Sequence, residues 1–126
     1  MKLKEVLNCL VMNAVLCGTL LLVPTLVFAD GQGPYTIVIK DHQFNPVELI
    51  VPAGVKIKLV IDNQDPTPEE FESYDLNREK IVTGHKKIII YVGPLKPGSY
   101  KYFGEFHQDT AQGIITAIEH INKKEK

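Results

Sequence analysis

The stretch YKYFGEFHQDTAQG, Tyr100 to Gly113, carries an aromatic run into a glycine, then an acid, a histidine and a short polar loop closed by a second glycine. Tyr100, Tyr102 and Phe103 suit a pleated, half-buried strand, and Gly104 marks its end. GIITAIE (113–119) follows as a second strand rich in β-branched residues. Working upstream, KKIIIYV (86–92) is a strongly β-branched run bounded by the turn GPLKPGS. VKIKLVID (55–62) has an alternating pattern, which predicts lysines toward solvent and aliphatics toward a core. YTIVIK (35–40) and VELIV (47–51) are further strands. They are joined by the polar connection DHQFNP and followed by the turn PAG. NQDPTPEE is a loop by its prolines and acids, and FESYDLNREKIV is ambiguous, its residues suiting a helical turn before a short strand at EKIV. Seven or so short strands at about ten-residue spacing, with Pro/Gly turns and no long helix, predict a β-sandwich.

The N-terminus is a different kind of segment. Lys2 and Lys4 precede an almost wholly apolar run from Val6 to Ala29, and VFA places modest residues before Asp30. That is the layout of an export signal, so residues 1–29 are expected to be a signal peptide forming an apolar helix. An uncleaved anchor is the alternative, because the run approaches the roughly 20 residues that span a bilayer. Residues 30–121 are then the domain and 122–126 a charged tail. Cys17 follows Leu16, where lipidation would want a small residue, and is an ordinary residue of the signal.

The chain has 126 residues with 14 basic and 15 acidic side chains, of which Lys2, Lys4 and Glu5 lie in the signal. The exported part therefore has 97 residues, 12 basic and 14 acidic, and a net charge of −2. No basic excess favours nucleic acid as a partner. Both cysteines and both methionines also lie in the signal, so the domain contains no sulfur and folds without disulfides.

YKYFGEFH and DTAQG, taken with FNPVELIVPAGVKIKLVIDNQD, resemble the cupredoxins, the small blue-copper sandwiches. The resemblance covers about residues 35 to 119 and implies a Greek-key sandwich of seven to eight strands. Gly104 stands where the family has its copper-binding cysteine, His107 where its C-terminal histidine ligand stands, and Gln112 where its axial methionine stands. Taken together, DPTPEEFESYDLNREKIV, GPLKPGSYKYFGEFH and DTAQG are similar to a narrower group, the periplasmic proteins related to the cupredoxin domain of EfeO-type iron-uptake systems. That likeness implies a periplasmic location, metal handling in support of iron import, and an iron permease complex or other periplasmic iron-uptake proteins as partners. Membrane contact would come only through the partner or the uncleaved anchor.

A blue-copper centre needs a thiolate beside two imidazoles, and the domain after the signal has no cysteine to give one. The donors left are imidazole and carboxylate, a set compatible with a copper ion of another type or with iron. His107 is the first candidate, although a histidine on a β-loop serves as readily as a hydrogen-bonded loop residue. Glu105 lies two residues earlier and would share its face in extended backbone. Glu70 is the candidate for the first-ligand position, with Glu72 on the same face and Glu69 as a solvated neighbour. An acidic, solubilising loop is the plain alternative for all three. His42, in DHQFNP, and Gln112 complete the candidate set. His85 reads as a turn residue, and Asp109 as a local turn former.

No nucleophile–base pair or phosphate-cradling loop is present, and the expectation is a protein that is not an enzyme. Two functions compete. One is a metal-binding accessory of iron uptake; the other is a metal-free cupredoxin-fold module that binds a permease or a periplasmic partner. A third, oxidation of Fe(II), would need an O₂-reactive centre that so few histidines hardly supply.

Overall fold

The computed structural model describes residues 33–119, and the expected signal helix and the tail 122–126 lie outside them. The described residues form nine strands: β1 (Tyr35–Lys40), β2 (Gln43–Asn45), β3 (Glu48–Pro52), β4 (Ile57–Asn63), β5 (Glu69–Ser73), β6 (Arg78–Val82), β7 (Lys87–Val92), β8 (Gly98–Gly104) and β9 (Gln112–Ile118). They form two sheets, one of order β2-β1-β4-β7 and one of order β3-β9-β8-β5-β6. β1 runs parallel to β4 and β3 parallel to β9, because the chain crosses between sheets after β2 and again after β3. The one helical turn among the described residues is a 3₁₀ segment at Glu105–His107.

Nine strands exceed the seven to eight expected, for local reasons. DHQFNP is not a plain connection: it contains β2, paired back on β1 through a two-residue turn. FESYDLNREKIV resolves into β5, a turn and β6, with no helix. Its alternation explains this, since Phe71 and Ser73 are buried while Glu70 and Glu72 are not.

The core follows the pleat. Ile57, Leu59 and Ile61 of β4 point inward with Lys58 and Asp62 outward, as expected, while Val60 is an aliphatic that the period-two pleat turns to the outer face. Ile37 and Ile39 meet them from β1, and Val92, Ile115 and Val82 close the space between the sheets. Phe44, Phe71 and Tyr102 form an aromatic cluster. Phe71 and Tyr102 are stacked at 5.1 Å, and Phe44 stands edge-on to Tyr102 at 5.1 Å. Full burial of an aromatic ring removes about 150–250 Å² from water, so this trio is a large part of the folding energy. The Tyr102 ring lies across Gly113, where an added Cβ would collide with it. Its hydroxyl donates to the Pro46 carbonyl at 3.3 Å, and burial pushes its phenol pKa well up. This cluster joins β2, β5 and β8, whose ends carry the candidate site.

Candidate functional site

His42 reaches the site through the turn between β1 and β2. Asp41 and His42 both have positive φ, 52° and 56°, the backbone combination of a tight two-residue hairpin turn. Glycine usually takes such positions, and two non-glycine residues there need outside support. Asp65 supplies it: its Oδ1 accepts the Asp41 N–H at 2.8 Å and its Oδ2 the His42 N–H at 2.9 Å. Asp65 is itself fixed by its own N–H donating to Asn63 Oδ1 at 3.0 Å. Asn63 is fully buried and ties the loop down through its amide, which donates to Thr67 O and Val82 O. Burial alone would raise the Asp65 pKa. The two backbone N–H groups and the charges of His42 and His107 outweigh it, and the carboxyl sits below its ordinary range.

His107 is placed by the other side of the molecule. β8 ends at Gly104, the chain turns through the 3₁₀ segment, and Ala111 donates its N–H to His107 O while accepting that of Gly104. The space beside Gly104 is taken by the carboxylate of Glu69. A Cβ at residue 104 would lie 2.6 Å from Glu69 Cδ and 2.7 Å from Ala111 Cβ. Glu69 is 1% exposed. Its Oε1 accepts the N–H groups of Phe106 at 2.9 Å and Glu70 at 3.0 Å. Its Oε2 lies 2.6 Å from His107 Nδ1. A carboxylate already accepting two backbone bonds makes Nδ1 the donor there, which leaves Nε2 as the free nitrogen.

The two histidines then meet. Their rings stack with centroids 3.6 Å apart and planes 11° from parallel. His42 Nδ1 is 3.5 Å from Asp65 Oδ2, so each imidazole has its own carboxylate. The His42 side chain is 42% exposed and that of His107 29%, so the pair forms a small surface feature over a buried polar floor.

This geometry does not fit a copper centre. The position that would bear a thiolate has no side chain, and a carboxylate engaged with protein donors fills its space. An imidazole nitrogen binds a metal in the plane of its ring at about 2 Å, and two parallel planes this far apart do not converge on one ion. Among the described residues no group of three or more His, Cys, Asp or Glu is arranged to hold a metal ion.

The candidates from sequence fall into separate places. His107 and His42 come together. Glu70, Glu72 and Glu105 do not join them: they lie on the outer face of the five-stranded sheet with Glu79 of β6. Glu70 ionises less readily than usual, first through its hydrogen bond with Glu79 and then through burial and the charges around it. Glu72 is raised by burial, then by Glu105 and Glu79. Gln112 is exposed at the start of β9 and donates to Gln108 O at 2.9 Å. Two expectations are corrected. Glu69 is buried beside His107 rather than solvated, because Phe71 is a core residue and position i−2 must share its face. Glu105 and His107 do not share a face, because residues 105–107 form a 3₁₀ turn in which alternation does not apply. The sequence pattern does not single out Asp65 or Asn63, because an acid inside the turn-forming NQDP looks like any loop residue. His85 is the turn residue expected, at φ 57° with its N–H donating to Asp65 O.

The family description "Cupredoxin-like domain" matches residues 12–117. The chain belongs to the cupredoxin-like domain family. Among solved cupredoxins, auracyanin A, a "blue" copper protein from Chloroflexus aurantiacus, superposes with a TM-score of 0.58 at 16% identity, covering 68% of this chain and 100% of its own. A purple cupredoxin from Nitrosopumilus maritimus superposes at 0.51 with 20% identity, covering 66% and 98%. The metal-binding domain of a Streptococcus pneumoniae Cu(I)-exporting ATPase gives 0.57 at 13%, covering 68% and 84%. At such identities the likeness shows the fold. The uncharacterized protein RP394 of Rickettsia prowazekii (strain Madrid E) is 61% identical over 79 residues. That match covers 63% of this cupredoxin-like chain and 63% of the relative's length.

Proposed function

We propose that this chain is an exported, non-enzymatic cupredoxin-fold binding module, whose ligand-loop end is held together by protein groups instead of copper. One observation carries the reading: the Glu69 carboxylate fills the space beside Gly104 and holds His107 Nδ1 at 2.6 Å. A redox centre would use that loop to present donors to an ion. Here the same loop is locked to the sheet by a hydrogen-bonded carboxylate, leaving the domain's surfaces for recognition. The signal-like N-terminus supports a periplasmic location, and the motif likeness to EfeO-type domains supports a partner in iron import, such as a permease complex.

A second reading has an observation of its own. His42 and His107 meet at the surface with Glu69 and Asp65 behind them. Were the rings to part, that set would suit a metal-binding accessory for copper or iron in the same uptake system. Such a complex would weaken below about pH 6 as imidazole protonates.

Calorimetric titration of the protein with Cu(II) and with iron salts separates the two. The module predicts no stoichiometric binding in the micromolar range. A one-to-one complex at that affinity, lost in His107→Ala, would replace it with the accessory reading.

A further inference from the structure

The two outer faces of the sandwich differ in character. On the four-stranded sheet, Lys58 points outward, Lys87 pairs with Asp62 at 3.3 Å, and Lys56 lies over the Tyr91 ring at 4.5 Å. On the five-stranded sheet, Glu70, Glu72, Glu79 and Glu105 gather at the β5–β6 side. Glu72 sits directly opposite Glu79 on one neighbour and Phe103 on the other. Like charges facing across strands oppose each other, and among the described residues none of the four carboxylates is in an ion pair. Arg78 borders the cluster but is engaged elsewhere, donating to the Tyr91 and Asn77 carbonyls.

Beside these acids runs a mainly apolar groove of about 710 Å³, lined by Val47, Tyr74, Phe103 and Ile114 together with Glu48 and Lys101. Tyr74 is 75% exposed and Val47 67%, and the Tyr74 and Phe103 rings lie 5.4 Å apart. Tyr74 follows β5 and Val47 precedes β3, and both side chains are accessible and give nothing to the core. An aromatic face next to uncompensated carboxylates suits a cation with an apolar neighbour.

We propose that this face docks an extended cationic segment of a partner protein, with Lys or Arg among Glu70, Glu72, Glu79 and Glu105 and an adjoining apolar side chain laid along Tyr74 and Phe103. In an extended segment residues i and i+2 share a face, so a cation and an apolar side chain two residues apart reach the acids and the aromatic pair together, and charge complementarity selects the sign. The proposal rests on the binding-module reading and names its surface.

The test uses a labelled peptide repeating Lys-Ser-Leu-Ser, which puts Lys and Leu on one face when extended, with its Glu-Ser-Leu-Ser counterpart and an all-Lys–Ser control, read by fluorescence anisotropy. The Lys-Ser-Leu-Ser peptide should bind, and the other two should bind at least about tenfold more weakly. Paired reversal E72K/E79K should cost about tenfold or more, and Y74A several-fold, while reversal of Lys56 and Lys58 should change nothing. The milder E72Q/E79Q keeps side-chain size and should lose binding in the same direction. Equal binding of the Lys–Ser control, or indifference to E72K/E79K, would overturn the docking site. So would salt-sensitive self-association in sedimentation, which would make the basic face of a second copy the occupant. Failure here in a protein that also ignores metals removes this surface and keeps the module reading; stoichiometric metal binding removes the module itself.

Discussion

Glu69 and Glu70 are neighbours on one strand and live in opposite physical worlds. Glu69 points between the sheets, is 1% exposed, and spends both oxygens on protein donors. Glu70 points outward into a cluster of like charges, where it is harder to ionise than usual. The period-two pleat makes the difference, not the residue type. A carboxylate on the inner face becomes a structural part of the loop. One residue on, the same group becomes surface potential available to a partner. The two regions should therefore respond oppositely when their charge is removed.

The largest effect is expected at the inner acid. Glu69→Ala strips acceptors from the Phe106 and Glu70 N–H groups and from His107 in one step. Leaving buried donors unpaired where a buried pair stood costs on the order of 3–5 kcal/mol. Urea unfolding should show that loss, and circular dichroism in the aromatic region should report loosening near residues 104–107. A loss under about 1 kcal/mol would mean water replaces the carboxylate freely, and the locked-loop account would fail.

Gly104→Ala comes next. Its Cβ would press on Glu69 Cδ and Ala111 Cβ at 2.6 and 2.7 Å, an overpacking that costs about 1–3 kcal/mol. Because both substitutions act on one small volume, they should not add. Glu69→Ala removes the carboxylate that the new methyl group would strike, so the double variant should be less destabilised than the sum by about 1 kcal/mol. Additive losses in the double-mutant cycle would show that the carboxylate and the missing side chain do not share that space. The same logic says that a cysteine introduced at position 104 alone meets Glu69 before it meets any metal.

Much of this was legible in the sequence. Alternation in VKIKLVID and the β-branched KKIIIYV place the core strands, and His107 and His42 stand among the candidates that the fold brings to one end. The failures have a common physical origin. Alternation gives which residues share a face but not which face is inner, so Glu70 and Glu72 are grouped correctly and aimed at the wrong side. Phe71 held the answer, since an aromatic core residue fixes the direction of its i−2 neighbour. Asp41 and His42 hide their hairpin because neither is glycine. Their left-handed turn depends on Asp65, 23 and 24 residues away, and no local pattern reports a long-range acceptor.

The smallest effect belongs to the outer acids and has the opposite sign. Glu72 carries a raised pKa in the folded protein, from burial first and then from Glu105 and Glu79. The folded state therefore holds its proton to higher pH than the unfolded chain does. Stability linked to this group is present at low pH and is lost as pH rises through that raised range. Glu72→Gln removes the ionising group, so at pH 7 it should raise Tm slightly, and the gain should vanish once the pH falls below the ordinary carboxylate range near about 4. Thermal unfolding of wild type and variant across pH 3 to 8 would display the crossing, on the scale of carboxylate titration. A variant less stable than wild type at pH 7 would show that Glu72 has a stabilising partner. The contrast between the inner and outer acids of β5 would then have to be redrawn around that partner instead of around charge repulsion.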